Sequence, residues 1–226
     1  MMTAERQSLN AYFCLEDDMS TVERFLDMGE RRLYKKGEAL IPLNSVVDRL
    51  GYLKTGQAGR LITTASGAEK YIKIVCSRGI IGEVMFFQHS ISDQCFVAIE
   101  NCECYWFDHV TVDQVFLKDE SFVQALIQWF CNRMSSLNAQ VMDAMREDTY
   151  HRVCKFIEEY VKAFGHLDAQ GNYCFNGKLS HYDIAKYLGI NRVSVTRAIS
   201  KLQDAGVIIK DRSMLVVLDM NYFETL

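Results

Sequence analysis

Residues 180–218 constrain this chain most, because two short helices there carry their own start and stop signals. Ser180 and Asp183 form the hydroxyl and carboxylate pair of a capping box. Ile184, Ala185, Tyr187 and Leu188 follow at helical spacing, and Gly189 suits the left-handed residue that ends a helix. Asn191 is a second N-cap. Val193, Val195, Ala198, Ile199 and Leu202 offer apolar contacts from a second helix, which Gly206 stops. Residues 207–210, 211–213 and 214–218 read as strand, turn, strand. Helix, three-residue turn, helix and hairpin make a winged helix-turn-helix.

The second of these helices carries the chemistry. Its first turns hold Arg192, Val193, Ser194, Thr196 and Arg197. A helix of this kind fits the major groove of double-stranded DNA with its N-terminal residues at the base edges. An arginine fork matches guanine O6 and N7, and a valine packs on a thymine methyl. Ser180, His181, Lys178, Lys186, Lys201, Lys210 and Arg212 surround it as candidate phosphate contacts. The alternative is a helical hairpin that merely packs, its basic residues forming a solvated face. Charge favours the DNA reading. The whole chain is at −4, but residues 178–212 hold 7 Lys/Arg against 3 Asp/Glu, a local +4.

The rest of the chain falls into two regimes. Residues 34–107 hold short runs of Val, Ile, Tyr, Phe and Cys punctuated by glycines, which predicts many short strands in a sandwich or barrel. Residues 61–75 form a hairpin candidate with its turn at Gly67. Residues 110–164 carry helical patterning with no Gly or Pro. Val123, Ile127, Phe130, Met134, Leu137, Val141 and Ala144 recur at steps of four and three. So narrow a stripe suits a helix paired with its copy in a homodimer; the alternative is a helix packed on its own sandwich. Asp168 to Asn172 form a turn between short strand candidates.

Eight cysteines lie scattered through 226 residues, and no secretion-signal pattern precedes them, so reduced thiols and a cytoplasmic location are expected. No apolar run reaches the ~18 residues of a membrane span. Enzyme signatures are missing from the sequence: it has no phosphate-cradling glycine loop, no nucleophile elbow and no metalloprotease helix. The five histidines show no ligand-spaced pair, so no metal or cofactor is expected.

The run 179–197, LSHYDIAKYLGINRVSVTR, resembles the DNA-reading element of the Crp–Fnr superfamily of bacterial transcription regulators. The runs 51–61, GYLKTGQAGRL, and 79–83, GIIGE, are similar to that family's sensor domain. The resemblance implies an α+β fold: an N-terminal cyclic-nucleotide-binding-like β-roll (a jelly roll), a long dimerisation helix and a C-terminal winged helix-turn-helix. The expected boundaries are 1–118, 119–147 and 148–226. It further implies a homodimer on pseudo-palindromic sites, RNA polymerase as a partner and a small-molecule effector. Many relatives carry glutamate where this chain has Val193, so the cytosine contact of that glutamate should be lost here.

Four effector readings follow. For a cyclic nucleotide, Glu83 stands where the family binds ribose, but the phosphate stretch, residues 92–97, offers Asp93 and no arginine. For an iron–sulfur cluster, the N-terminal region has Cys14 alone, and Cys102 and Cys104 make only a pair on one strand face. Redox sensing through cysteines stays open. Haem or another metal lacks a ligand set. A small organic effector fits better. Residues 193–197 and 104–107 resemble the CprK-type halorespiration regulators, which bind chlorinated aromatic acids or phenols, and this chain looks somewhat closer to them than to the cAMP receptor protein. Glu83, Val84, Phe86, Phe96, Tyr71, Arg133 and Leu137 are the candidate effector residues, with Phe87, Tyr105 and Trp106 as further walls. Val123, Ile127, Phe130, Met134, Leu137 and Val141 are the candidate dimer interface. A hinge is expected near residues 146–149. A sensor whose output is a protein partner is the remaining alternative.

Overall fold

The structure is a computed structural model and describes residues 18–63, 69–145 and 148–225. Cys14, the hairpin turn at 64–68 and Arg146 of the expected hinge lie outside them. The chain divides into two compact units, residues 1–62 with 72–138, and 63–71 with 139–226.

In the first unit a 3-10 segment, Ser20–Met28, precedes strands β1 (Glu30–Tyr34), β2 (Ala39–Ile41), β3 (Arg49–Thr55), β4 (Ala58–Thr63), β5 (Glu69–Val75, of which residues 69–71 fall in the second unit) and β6 (Gly79–Ile81). Helix α1 (Glu83–Gln88), strands β7 (Cys95–Ala98) and β8 (Cys102–Asp108), and helices α2 (His109–Gln114) and α3 (Glu120–Ala144) follow. The strands form two four-stranded sheets, β1-β8-β3-β6 and β2-β7-β4-β5. The strand-rich reading therefore holds, with one addition. β1 starts in the charged run Glu30-Arg31-Arg32, which has no apolar alternation. It is a strand because it pairs along β8, from Glu30 opposite Trp106 to Tyr34 opposite Cys102. Gly51 lies opposite Trp106, and a side chain there would meet the indole at 2.9 Å.

Two aromatic candidates for an effector wall lie in the core of the sandwich. Phe86 is fully buried and stacked on His109 with ring centroids 4.0 Å apart, and Phe96 is buried in the same hydrophobic cluster. Their apolar area stabilises the sandwich.

Helix α3 has two apolar faces. Phe122, Leu126 and Trp129 recur at steps of four and three and are buried in the core of the unit. The predicted seam is a different stripe. Ile127, Met134, Leu137 and Val141 are 52–68% exposed, Phe130 is exposed, and Val123 is half-buried. The helix thus packs on its own sandwich with one face and leaves the other uncovered in the single chain.

The second unit contains helix α4 (Thr149–Phe164), strands β9 (His166–Leu167) and β10 (Tyr173–Asn176), and helices α5 (His181–Leu188) and α6 (Arg192–Asp204). Strands β11 (Ile208–Lys210) and β12 (Met214–Val217) and helix α7 (Asn221–Glu224) complete it. Its sheet runs β11-β12-β10-β9. Asp148 caps α4, its carboxylate accepting from the Tyr150 amide at 2.9 Å. Val153, Phe156, Ile157 and Val161 line the buried face of α4, where the Phe156 ring meets Tyr187 of α5 at 5.2 Å. The Arg152 guanidinium donates to the Leu188 carbonyl at 2.7 Å, satisfying the end of α5.

No helix among the described residues is long and apolar enough to cross a membrane.

Candidate functional site

The local signals of residues 180–218 build the site as expected. The Ser180 hydroxyl accepts from the Asp183 amide at 3.1 Å, and the Asp183 carboxylate accepts from the Ser180 amide at 2.9 Å. Removing such a cap costs about 1 kcal/mol. Gly189 ends α5 at φ 63°, a left-handed conformation that side chains rarely adopt. The Asn191 side chain then accepts from the Val193 amide at 2.8 Å and starts α6. Ser180 was also a candidate DNA contact, but its hydroxyl hydrogen goes to Asp183 at 2.6 Å. Its role in this structure is to set the start of α5.

Helix α6 divides cleanly. Val195, Ala198, Ile199 and Leu202 are buried, and Arg192, Val193 and Arg197 are exposed on the opposite side. Ser194 and Thr196 are half-buried between the two. The wing is held to the helix by Gln203, whose amide donates to the Lys210 carbonyl at 3.1 Å. The Asp211 carboxylate accepts from the Ser213 and Met214 amides, which closes the wing turn and leaves Arg212 exposed at its tip. A groove of about 810 Å³ results. Lys178, Ser180, His181, Arg192, Lys210 and Arg212 line it, with Asp211 the one acidic residue in its wall. Four cations thus converge on a concave surface beside the exposed end of α6, the arrangement a phosphate backbone requires.

Two basic candidates stand elsewhere. The Lys201 ammonium sits over the Tyr150 ring, 3.9 Å from its centroid, outside the groove. Lys186 is ion-paired with Glu69 and lies over Tyr182, so its charge is already matched. Tyr71, a candidate effector residue, packs its ring on Tyr187 at 5.6 Å.

His181 is tuned by this groove. With the Thr196 hydroxyl hydrogen on the Arg192 carbonyl at 3.1 Å, the tautomer that completes the pair is the one in which His181 Nδ1–H donates to Thr196 Oγ1 at 3.0 Å. Nε2 is then the atom that gains or loses a proton. Burial first, then the charges of Lys210 and Arg192, hold the imidazole pKa below its usual value. A phosphate in the groove reverses that field and favours the imidazolium. The complex then binds more protons than its parts, so affinity rises as pH falls through the pKa of the complex. Fluorescence anisotropy should give DNA binding several-fold tighter at pH 6 than at pH 8, with the difference abolished in His181→Gln. An identical pH slope in the variant would remove His181 from the interface.

The first unit holds a second cluster. Glu83, buried at the start of α1, has Lys73 of β5 as an ion partner, Nζ to Oε1 3.7 Å. Lys73 Nζ lies 5.0 Å from the centroid of Trp129, and the Arg133 guanidinium stacks on the same ring at 3.8 Å. The structure thus gathers Glu83 and Arg133. Val84 is half-buried in the same helix as Glu83, and Leu137 belongs to the exposed stripe. Lys73 and Trp129 were missed, although Trp129 left a signal: it continues the four-and-three spacing of Phe122 and Leu126, and Arg133 follows it four residues on.

Other sensor readings change with the structure. Asp93 lies 3.8 Å from Arg60 of β4, so an arginine does reach the stretch where none was visible locally. Cys102 and Cys104 are buried, and the Cys102 thiol donates to the Gln57 carbonyl at 3.2 Å. Burial pushes the Cys102 pKa up to about 11 and that of Cys104 well above the usual range. Thiols held protonated are poor redox centres. His89 and His109, far apart in sequence, are neighbours with ring centroids at 4.8 Å. Among the described residues no group of three or more metal-type ligands forms.

Comparison with known proteins bears on both units. Residues 31–119 match the cyclic nucleotide-binding domain family, and residues 151–226 match the Crp-like helix-turn-helix domain family. No curated protein sequence matches the chain. Among solved structures, the C200S variant of CprK complexed with OCPA is similar at 19% identity and TM-score 0.73, over 91% of this chain and 93% of that one. The c-di-GMP responsive global regulator CLP of Xanthomonas campestris is similar at 19% identity and TM-score 0.74, over 89% and 100%. A CooA mutant from Carboxydothermus hydrogenoformans is similar at 15% identity and TM-score 0.77, over 91% and 93%. These likenesses concern the fold. CprK and CLP match at the same identity, so sequence identity does not single out the CprK type.

Proposed function

As the chain belongs to the Crp–Fnr superfamily of DNA-binding transcription regulators, we propose that it acts as a homodimer on pseudo-palindromic DNA and answers to a small-molecule effector. The carrying observation is the exposed face of α6 beside a four-cation groove. Arg192, Val193, Thr196 and Arg197 read bases, and Lys178, His181, Lys210 and Arg212 hold phosphates. The homodimer reading is supported by the uncovered seam of α3, whose spacing matches a two-stranded coiled coil. Two recognition helices related by a dyad would meet major grooves one turn apart. RNA polymerase is the partner through which such a regulator would act.

The effector reading is supported by the buried group of Glu83, Lys73, Trp129 and Arg133. A halogenated aromatic is the first chemistry to test, since cations beside an indole suit an aromatic ring bearing a negative charge. Effector binding there would bias the pitch of α3 and with it the spacing of the two recognition helices.

In vitro selection from random duplexes tests the reading. The expected product is a two-fold symmetric site with half-sites one helical turn apart. Val193, 56% exposed at the helix start, should favour a thymine where a glutamate would accept from cytosine. The half-site should therefore differ from that of the cAMP receptor protein. Enrichment of no symmetric sequence would sink the regulator reading; an unaltered cAMP-receptor site would sink the role of Val193.

A further inference from the structure

Thr196 stands among the residues assigned to the bases, yet its hydroxyl is already engaged. The hydroxyl hydrogen lies on the Arg192 carbonyl, one turn back and 3.1 Å away, the local back-bond that threonine makes inside helices. The hydroxyl oxygen lies 3.0 Å from Nδ1 of His181, the first residue of α5. Thr196 therefore has no hydrogen left for guanine O6 and N7 or thymine O4. What remains for a base is its methyl group and one lone pair. The hydroxyl itself ties the first helix of the motif to the second.

The consequence falls on His181. A neutral imidazole carries its hydrogen on one nitrogen and a lone pair on the other. With Thr196 accepting at Nδ1, the lone pair is at Nε2, across the ring. His181 is half-buried in the wall of the groove. The charged groups lining that groove with it are Arg192 of α6, Lys210 of β11, Lys178 ahead of α5, and Asp211 and Arg212 of the wing turn. Asp183, two residues on in α5, is turned back to the Ser180 amide and hydroxyl. Burial first, then Lys210 and Arg192, disfavour the imidazolium until an anion enters. A phosphate oxygen is an acceptor, so it meets a lone pair on neutral His181 and an N–H only on the imidazolium.

We propose that Thr196 is a positioning residue that makes His181 a proton-gated phosphate contact: by accepting the Nδ1 hydrogen it denies neutral His181 an N–H toward the groove. This rests on the DNA-binding reading above and assigns the pH dependence of that site to a residue that does not itself titrate. In Thr196→Val the shape is kept and the acceptor is gone. With a phosphate at Nε2 and nothing to accept at Nδ1, the hydrogen then belongs on Nε2, and neutral His181 donates without taking up a proton.

The test has two parts. Two-bond 15N–1H NMR on the full chain at pH 8, with His181 assigned through His181→Gln, should show the Nδ1–H tautomer in the parent and in Thr196→Ser. The share of Nε2–H should rise in Thr196→Val. Anisotropy titrations with the selected duplex then give the ratio of Kd at pH 8 to Kd at pH 6. It should be several-fold in the parent and in Thr196→Ser, and fall toward unity in Thr196→Val, with Thr196→Ala as the second variant should valine not fold. A base contact of Thr196 is lost or kept at both pH values alike, so the ratio isolates the effect on His181. The inference is overturned if the parent holds Nε2–H, if the ratio is unchanged in Thr196→Val, or if Thr196→Ser loses it as well. No duplex binding by the parent chain would sink the regulator reading and this inference with it. Duplex binding by a parent that holds Nε2–H would sink this inference alone.

Discussion

Glutamate at both Ile127 and Met134 is expected to leave a folded monomer that has lost most of its operator affinity. Both side chains stand on the uncovered stripe of α3, 59% and 68% exposed, while the opposite face carries the packing of Phe122, Leu126 and Trp129. The substitutions therefore remove nothing from the core, and circular dichroism and Tm should stay near those of the parent chain. In a parallel pair, each glutamate would face the seam of its copy, where burying carboxylates together is strongly unfavourable. Analytical ultracentrifugation should show a dimer for the parent chain and a monomer for the variant. Linking two half-site contacts gains about 10²–10⁴ in apparent affinity, and the monomer should lose a factor of that order. A parent chain that sediments as a monomer at micromolar concentration, or a variant that stays dimeric, would refute the seam.

Arg197→Ala should be the most damaging single change to DNA recognition. Arg197 is exposed on α6 one turn beyond Val193, with its backbone fixed by the buried Val195, Ala198 and Ile199. An arginine fork on guanine is worth about 1–3 kcal/mol per contact, and a two-fold site loses two of them. Affinity for the selected duplex should fall by about 10²-fold or more, and discrimination should relax at one base position per half-site. Arg212→Ala is the contrasting control. It removes a wing cation, so it should weaken all sequences alike and reduce the salt slope by about one per contact removed. Anisotropy titrations at several salt concentrations on matched and mismatched duplexes separate the two. Undiminished specificity in Arg197→Ala would place base reading elsewhere on α6. Undiminished affinity as well would favour a protein partner over DNA.

How much of this was visible in the chain depends on the range of the interactions involved. The capping box of Ser180 and Asp183, the Asn191 cap and the left-handed Gly189 act within a few residues, and each is found where its spacing implied. The exposed apolar stripe of α3 was legible for the same reason: a helix places every third or fourth residue on one face whatever surrounds it. What the pattern left open was which apolar stripe would meet the sandwich. The answer is Phe122, Leu126 and Trp129, set by the fit of large side chains to the core. Aromatic content did not say how each ring would pack: Phe86 and Phe96 fill the sandwich, and Tyr71 packs on Tyr187.

The winged helix-turn-helix and the apolar stripes of the long helix are thus determined by residues close in sequence, whose caps, turns and periodicity work before any tertiary contact forms. The cluster around Trp129 is not. Lys73 comes from a strand, Glu83 from the start of a short helix and Trp129 from the long helix, and nothing in their spacing relates them. Their meeting is decided by the closure of the sandwich and the packing of α3. That packing buries Trp129 with its indole N–H unpaired among the described residues, because the energy of the whole core outweighs the cost of about 1–3 kcal/mol for an unmade donor.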